Sequence, residues 1–160
     1  MAVTIAIETP LQDDVRTLVA HLNDHLLPLS PVEFQFKMTV EQMADSDTTL
    51  FVARDETGRA VGMGALKVHG QGLGEVKRMF TRTDIRGQRV GRQLLEKIVD
   101  LARERGLSKV MLETGTGDGM AEAHRLYTRY GFTPRGPFLD YPESEWSAFF
   151  ELSLDEEQLE

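Results

Sequence analysis

The hydrophobic positions of this chain recur with two different periods, and each change of period marks the boundary of a predicted element. Alternating or continuous apolar runs predict strands, whereas apolar residues three and four positions apart predict helices. Strands are predicted at residues 2–8, 48–55, 60–69, 75–81, 108–114 and 146–154, with a short one at 132–136. Helices are predicted over residues 9–27, 40–44, 89–106 and 120–132.

Local signals set the expected ends of the two longest helices. Thr9 and Gln12 have the spacing of a capping box, and Pro10 suits the first position of a helix. Pro28 is expected to end that helix, and Gly106 is expected to end the helix over 89–106. The apolar faces that these helices would bury share a spacing of three or four residues: Val15, Leu18, Val19, Leu22 and Leu26 in the first, and Val90, Leu94, Leu95, Ile98, Leu101 and Ala102 in the second.

The order of the predicted elements indicates the fold class. Strands 48–55, 60–69 and 75–81 follow one another through short turns, which is typical of an antiparallel meander. The strand–helix–strand unit from 75–81 to 108–114 predicts a right-handed parallel crossover. We therefore expect an α/β protein with a mixed sheet of about seven strands and helices on both faces, forming a single domain over residues 1–160.

Composition narrows the class of protein. Hydrophobic residues make up 41% and charged residues 28% of the chain, as in ordinary soluble globular proteins. Because the chain has no cysteine, disulfides, cysteine nucleophiles and cysteine-bound metals are excluded. The amino-terminal sequence lacks the pattern of a signal peptide, and no apolar run approaches the roughly 18 residues that a membrane span needs. A cytoplasmic protein without membrane contact is expected.

The distribution of charge points to a small anionic ligand. The net charge is -8, which disfavours binding to nucleic acid. Basic residues nevertheless gather in one short segment, between Lys77 and Arg92, whereas acidic residues gather elsewhere. This arrangement predicts one compact basic site in an acidic protein.

The segment "RTDIRGQRVGRQLL", residues 82–95, joins a predicted strand to a predicted helix. The free backbone N–H groups at a helix start and the helix dipole together favour an anion there. On the loop alone, a surface turn with solvated arginines remains an equal alternative. A Walker loop fits worse, because this loop ends in Gly-Arg-Gln instead of Gly-Lys-Ser/Thr.

Four segments, taken in order, resemble the GNAT family of N-acetyltransferases. The loop from Arg86 to Gly91 is similar to that family's Arg/Gln-x-x-Gly-x-Gly/Ala motif, with Arg89 standing where the family usually has glycine. "EVKRMFT" and "LETG" resemble its fourth strand and the end of its fifth strand. "Ala-x-x-Leu-Tyr-x-x-x-Gly-Phe" at residues 123–132 resembles its signature near the carboxyl end.

The resemblance implies a sheet that opens between the fourth and fifth strands and holds acetyl-CoA in the opening. The pantetheine arm would pair with the backbone of Met79, Phe80 and Thr81, and an amide near Met79 would polarise the acetyl carbonyl. The residues implied to bind the diphosphate are Arg86, Gly87, Gln88, Arg89, Val90, Gly91 and Arg92.

The implied reaction is direct transfer of the acetyl group to a primary amine of a small molecule. Because an alkylamine is mostly protonated at pH 7, a base must first take a proton. Glu75 is the first candidate for that base, acting directly or through water, and Glu113 is the second. Glu75 could instead be a cross-strand partner of a lysine or arginine.

Tyr127 matches the family's tyrosine, which contacts the cosubstrate and protonates the departing thiolate. An aromatic residue packed against the sheet is the alternative for Tyr127, and Tyr130 is the second candidate for the acid.

An acceptor pocket is also implied. The resemblance implies that the first helices and the loop before the last strand build it. Its candidate residues are Glu33, Phe36, Asp140 and Tyr141, with Phe34, Glu143 and Trp146 beside them. The acidic excess favours a cationic acceptor, although these residues could equally serve as caps and core.

Other functions stay open. A protein lysine or N-terminal acetyltransferase and a non-catalytic acyl-CoA-binding module are the alternatives, and a homodimer is implied only by the resemblance. His21 and His25 have a spacing that could place two ligands on a metal, but no third ligand accompanies them, so no metal is expected.

Overall fold

The structure, a computed structural model, describes residues 3–85 and 89–154, apart from the side chains of Thr83 and Asp118. The strands are β1 Thr4–Ile7, β2 Thr48–Arg54, β3 Ala60–Val68, β4 Leu73–Thr81, β5 Lys109–Gly115, β6 Thr133–Arg135 and β7 Ser147–Ser153. The α-helices are α1 Asp13–Leu26, α2 Val40–Met43, α3 Val90–Glu104 and α4 Ala121–Tyr130. Short 3-10 helices occupy Leu27–Leu29, Val32–Phe34, Thr83–Ile85 and Asp118–Met120. None of the described helices is both long and apolar enough to cross a membrane.

The seven strands form one sheet in the order β1-β2-β3-β4-β5-β7-β6. The described pairs are antiparallel except for β4 with β5, which is parallel. The structure therefore confirms the expected mixed sheet, its antiparallel meander and its parallel crossover through α3.

Alternating residues of the central strands divide the core between the two faces of the sheet. In β2, Phe51 and Ala53 belong to the cluster that contains the buried residues of α3 and Tyr127 of α4. Leu50 and Val52 belong to the cluster that contains the buried residues of α1 and α2. Because successive strand residues point to opposite faces, α1 and α2 cover one face and α3 and α4 cover the other.

The predicted start of α1 is wrong by about one turn. The helix begins at Asp13, and Gln12 at its N-cap makes no capping hydrogen bond through its side chain. The Gln12 amide instead donates to the Thr9 carbonyl at 2.8 Å and to Glu8 Oε1 at 3.1 Å. Pro10 therefore precedes the helix. A real capping box lies at α2, where Thr39 and Gln42 bond each other's backbone.

The N-cap of α3 has an unusual backbone conformation. Arg89 has φ 62° and ψ 21°, in the left-handed region that favours glycine. At the other end, Gly106 has φ 72° and its amide donates to the Arg103 carbonyl, which confirms the predicted stop. The backbone is therefore strained at the start of α3, whereas a glycine relieves the strain at its end.

Candidate active site

The pairing of β4 with β5 stops after three residue pairs. Leu73, Gly74 and Glu75 face Lys109, Val110 and Met111, and beyond these pairs the two strands separate. β4 continues to Thr81 beside β3, whereas β5 continues to Gly115 beside β7. A groove of about 1140 Å³ opens at this point, lined by residues 76–81 on one side and 112–116 on the other.

A β-bulge shapes the wall of the groove that β4 forms. Met63 pairs with Phe80 and Ala65 pairs with Lys77, so two residues of β4 face one residue of β3. Arg78, in the bulge, has φ 55°. The opposing residue of β3 is Gly64, where an added Cβ would lie 2.5 Å from the Met79 sulfur. A side chain at this position would therefore require the Met79 side chain to move.

The residues implied to hold acetyl-CoA meet at this groove wherever the structure describes them. Met79, Phe80 and Thr81 line it from β4, and Tyr127 lines it from α4. From the start of α3, the lining residues are Arg89, Val90, Gly91 and Arg92. Arg86, Gly87 and Gln88 lie outside the described residues.

Two arginines of α4 that the sequence reasoning missed also line the groove. Arg125 and Arg129 are four residues apart, which places them on one face of the helix. That spacing beside the family signature was the signal that could have identified them. Together with Arg89 and Arg92 they give the α3–α4 side of the groove a concentration of positive charge.

Tyr127 is buried against other aromatic rings. Its ring lies 5.9 Å from that of Phe132 and 6.2 Å from that of Phe150, centroid to centroid. Burial, with a smaller effect from the Glu113 charge, raises the pKa of the Tyr127 phenol well above its usual value. Its hydroxyl makes no hydrogen bond within the described part of the chain. The phenol is therefore protonated over the physiological range and is available to donate.

Glu113 lines the groove from β5. Ser147 Oγ donates to its Oε2 at 2.7 Å. Burial raises the pKa of the Glu113 carboxyl, while the Ser147 hydrogen bond and the charge of Lys77 oppose that shift. A carboxyl with a raised pKa, next to an opening, has the property expected of a general base near neutral pH.

Glu75 lies apart from the groove, with its side chain only 3% exposed. Tyr141 donates its hydroxyl to Glu75 Oε2 at 2.5 Å, and His69 Nε2 lies 2.9 Å from Oε1. Lys77 Nζ lies 3.5 Å from the same carboxylate and donates to Tyr141 Oη at 2.9 Å. Glu75 therefore belongs to a compact polar cluster that borders a second cavity of about 400 Å³.

The residues predicted for the acceptor pocket separate into two groups. Phe36 packs edge-on against Tyr141 at 5.0 Å, and both border the second cavity together with Asp140. Phe36 also lines the main groove, as does Phe34. Glu33 is exposed and lines neither cavity.

Glu143 and Trp146 also line neither cavity. The groove is lined near Phe36 by Gln35, Lys37 and Arg78, which the sequence reasoning did not select. Because the β4 bulge turns Arg78 toward α1, no linear motif reveals this placement.

Comparison with known proteins agrees with this architecture. The model of the acetyltransferase (GNAT) family matches residues 18–132. An IAA acetyltransferase of Azospirillum brasilense is 43% identical over 153 residues, covering 95% of this chain and 98% of that protein. The uncharacterized N-acetyltransferase YedL of Escherichia coli K12 is 34% identical over 142 residues, covering 89% of each chain.

A crystal structure of similar fold reinforces this result. The protein, from Klebsiella pneumoniae and assigned to the acyl-CoA N-acyltransferases, superposes with a TM-score of 0.78 at 30% identity. The superposition covers 96% of this chain and 98% of that one. With the opened sheet and the family match over most of the sequence, the chain belongs to the GNAT family of acetyltransferases and is an acyltransferase.

Proposed function

We propose that the protein transfers the acetyl group of acetyl-CoA to a primary amine of a small molecule in the groove between β4 and β5. The observation that carries this proposal is the end of β4–β5 pairing after Glu75, which opens a groove bordered by both Tyr127 and Glu113. An acid and a base that border the same opening suit a direct acyl transfer.

The groove fits acetyl-CoA in shape and charge. A pantetheine arm in the opening would lie along Met79, Phe80 and Thr81, in the direction of a strand. Its diphosphate would lie near the amino end of α3, where free N–H groups and the helix dipole favour an anion. Arg92 of α3 and Arg125 and Arg129 of α4 supply further positive charge at that end.

The amine must lose a proton before it attacks, and the geometry supports Glu113 over Glu75 as the group that takes this proton. Glu113 lines the groove, whereas Glu75 is enclosed by Tyr141, His69 and Lys77. Glu75 would act only through a relay, in which Lys77 connects the polar cluster to the groove. This order reverses the one that the sequence favoured.

In the transfer step, the amine nitrogen forms a bond to the acetyl carbon and the carbon–sulfur bond breaks. A backbone N–H at the β4 bulge near Met79 would stabilise the negative charge that develops on the carbonyl oxygen. Tyr127 would give its proton to the departing thiolate. The nitrogen, positively charged after the attack, would lose its second proton, and this proton would restore the phenol directly or through water. The raised pKa of Tyr127 keeps the proton available until the thiolate forms.

An assay of free thiol release from acetyl-CoA tests the proposal. The panel would contain small primary amines, peptides with lysine or a free amino terminus, and IAA, after which the Azospirillum brasilense relative is named. We expect thiol release with at least one small amine, and mass spectrometry of that amine should show one added acetyl group. Release with peptides alone would overturn the small-molecule acceptor, and binding of acetyl-CoA without any release would overturn the proposed transfer.

A further inference from the structure

We infer that the acceptor amine carries a carboxylate and that Arg78 binds this carboxylate at the α1 end of the groove. The inference rests on the acetyl transfer proposed above and names the class of its acceptor. It follows from a buried arginine that no acidic residue of the described chain neutralises.

The β4 bulge turns Arg78 toward α1. Lys77 contacts Tyr141 and Arg78 contacts Asn23, so two consecutive residues of β4 lie on the α1 face of the sheet. Arg78 is 8% exposed and lines the groove. Its guanidinium carries five N–H groups, and the one hydrogen bond that it makes to a described residue runs from Nη2 to Asn23 Oδ1.

The electrostatic environment of Arg78 is incomplete without a ligand. Among the described residues no carboxylate lies within ion-pair distance, and its buried Nε has no hydrogen-bond partner. Burial lowers the pKa of Arg78 to about 10, so the guanidinium remains charged at neutral pH. A buried charge without a counter-ion is strongly unfavourable, and an anionic ligand would offset this cost.

Other basic residues line the groove that contains Arg78. They are Lys37, Lys77 and His25. Of the carboxylates lining the groove, Glu113 is assigned to the amine proton and Glu122 belongs to α4 on the other side. The acidic excess of the sequence, which favours a cationic acceptor, is thus not concentrated among the residues that line the groove.

A second buried polar atom lies near the same end of α1. The Gln35 amide nitrogen donates to the carbonyls of Leu26, Leu27 and Ser30, which fixes the orientation of the amide. Its Oε1 is buried and has no partner among the described residues. Asn23 and Leu26 are one turn apart in α1, so Gln35 and Arg78 both adjoin the last turns of this helix. An accepting oxygen and a cation there suit a ligand with both an N–H group and a carboxylate.

A carboxylate is preferred among oxyanions because its planar pair of oxygens matches the fork of a guanidinium. A phosphonate shares the charge but has a tetrahedral shape. The two ligands can therefore be separated by comparing aminoalkyl carboxylates and aminoalkyl phosphonates of the same chain length.

The test compares matched amines with the wild-type enzyme and with Arg78→Gln. Each amino acid in the panel is paired with its amide, with the amine that lacks the carboxyl group and with the corresponding phosphonate. We expect kcat/KM for the best carboxylate to exceed that for its amide by about 10- to 100-fold, the range of one or two charged hydrogen bonds. In Arg78→Gln this ratio should fall close to one, while the Kd of acetyl-CoA remains unchanged.

Two control variants and a binding measurement test whether the preference for a carboxylate depends on Arg78 itself. Arg78→Lys keeps the charge and should retain part of the preference. Arg82→Gln removes a neighbouring arginine that is paired with Asp84 and does not line the groove, and it should leave the preference intact. Calorimetry of the same ligands on the enzyme–CoA complex reports binding even where turnover fails.

A wild-type preference for the amide or the decarboxylated amine would overturn the inference, as would a preference that survives Arg78→Gln. Carboxylate binding that depends on Arg78, without any thiol release, would support the anion site and overturn the proposed transfer instead. If the enzyme prefers the phosphonate to the carboxylate, the inferred carboxylate is wrong and Arg78 binds a phosphonate group instead.

Discussion

Removing only the hydroxyl group of Tyr127 distinguishes a catalytic role of this residue from a packing role. Tyr127→Phe keeps the ring that packs against Phe132 and Phe150 but removes the proton donor. We expect kcat to fall by well over tenfold, because positioned acids contribute about 10²- to 10⁴-fold. The Kd of acetyl-CoA, measured by calorimetry, should change little.

Tyr130→Phe is the matched control for this experiment. Tyr130 is on the same helix, with its ring over the Arg92 guanidinium at 5.2 Å. Its loss of a hydroxyl should leave kcat nearly unchanged. If Tyr127→Phe retained full turnover, Tyr127 would be a packing residue and another group would have to protonate the thiolate.

Glu113 should set the acidic limb of the pH profile. Because burial raises the pKa of its carboxyl, the fraction that can accept a proton grows as the pH rises through that value. We expect Glu113→Gln to lower kcat/KM by about 10²-fold and to abolish this limb. If Glu75→Gln abolishes the limb and Glu113→Gln preserves it, the base is Glu75 acting through its polar cluster.

The same buried carboxyl should lower the stability of the folded protein at neutral pH. A carboxyl whose folded pKa is raised above 4.5 favours the folded state at low pH, and this contribution is lost as pH rises through the raised value. Glu113→Gln should therefore raise Tm at neutral pH. The gain should vanish near pH 4, where both side chains are neutral. A gain that is equal at both pH values would contradict this origin.

At the scale of elements, the start of α3 combines a strained backbone with a side chain that lines the groove. Arg89 has φ 62°, a conformation that glycine adopts without strain. Arg89→Gly should stabilise the fold by about 0.5–1 kcal/mol and preserve turnover, while acetyl-CoA binds about two- to fivefold more weakly. Thermal unfolding and calorimetry check the two effects. Arg89→Lys keeps the charge and the strain, so neither effect should appear in that variant.

Two segments with the spacing of a capping box show that local sequence does not suffice to predict where a helix starts. Thr9–Gln12 and Thr39–Gln42 have the same spacing, but only the second caps a helix. Near the first, Arg54 of β2 bonds Glu8 Oε1 at 2.7 Å and the Gln12 side-chain oxygen at 3.2 Å. Arg54 is more than forty residues away in the chain, so no local pattern reveals this competition.

The residues of the candidate site also fall into those that a local motif places and those that contacts between distant elements place. Residues placed by a local motif, such as Met79 near the end of β4, Gly91 at the start of α3 and Tyr127 within α4, could be assigned to the groove from the sequence. The α1 end of the groove could not, because the bulge at Arg78 and the contact of its side chain with Asn23 of α1 shape it. Their effects depend on which elements face each other, which linear spacing does not specify.

At the scale of the whole molecule, charge is distributed unevenly. The net charge is -8, yet Arg89, Arg92, Arg125 and Arg129 line the α3–α4 side of the groove. Salt screens such attraction, since the Debye length falls from about 10 Å at 0.1 M to about 3 Å at 1 M. The KM of acetyl-CoA should therefore rise several-fold between these salt concentrations. A KM that does not change with salt would mean that backbone contacts, rather than these arginines, bind the phosphates.

The short β4–β5 pairing also bears on how the molecule opens. Strands β1 to β4 and strands β5 to β7 are linked within the sheet by those three residue pairs. The two half-sheets should behave as separate cooperative units, each with its own protection against amide hydrogen exchange. A cosubstrate that fills the groove contacts both units and joins them. Acetyl-CoA should therefore slow amide hydrogen exchange throughout β5 and β7. With acetyl-CoA bound, the two half-sheets should open in a single cooperative step.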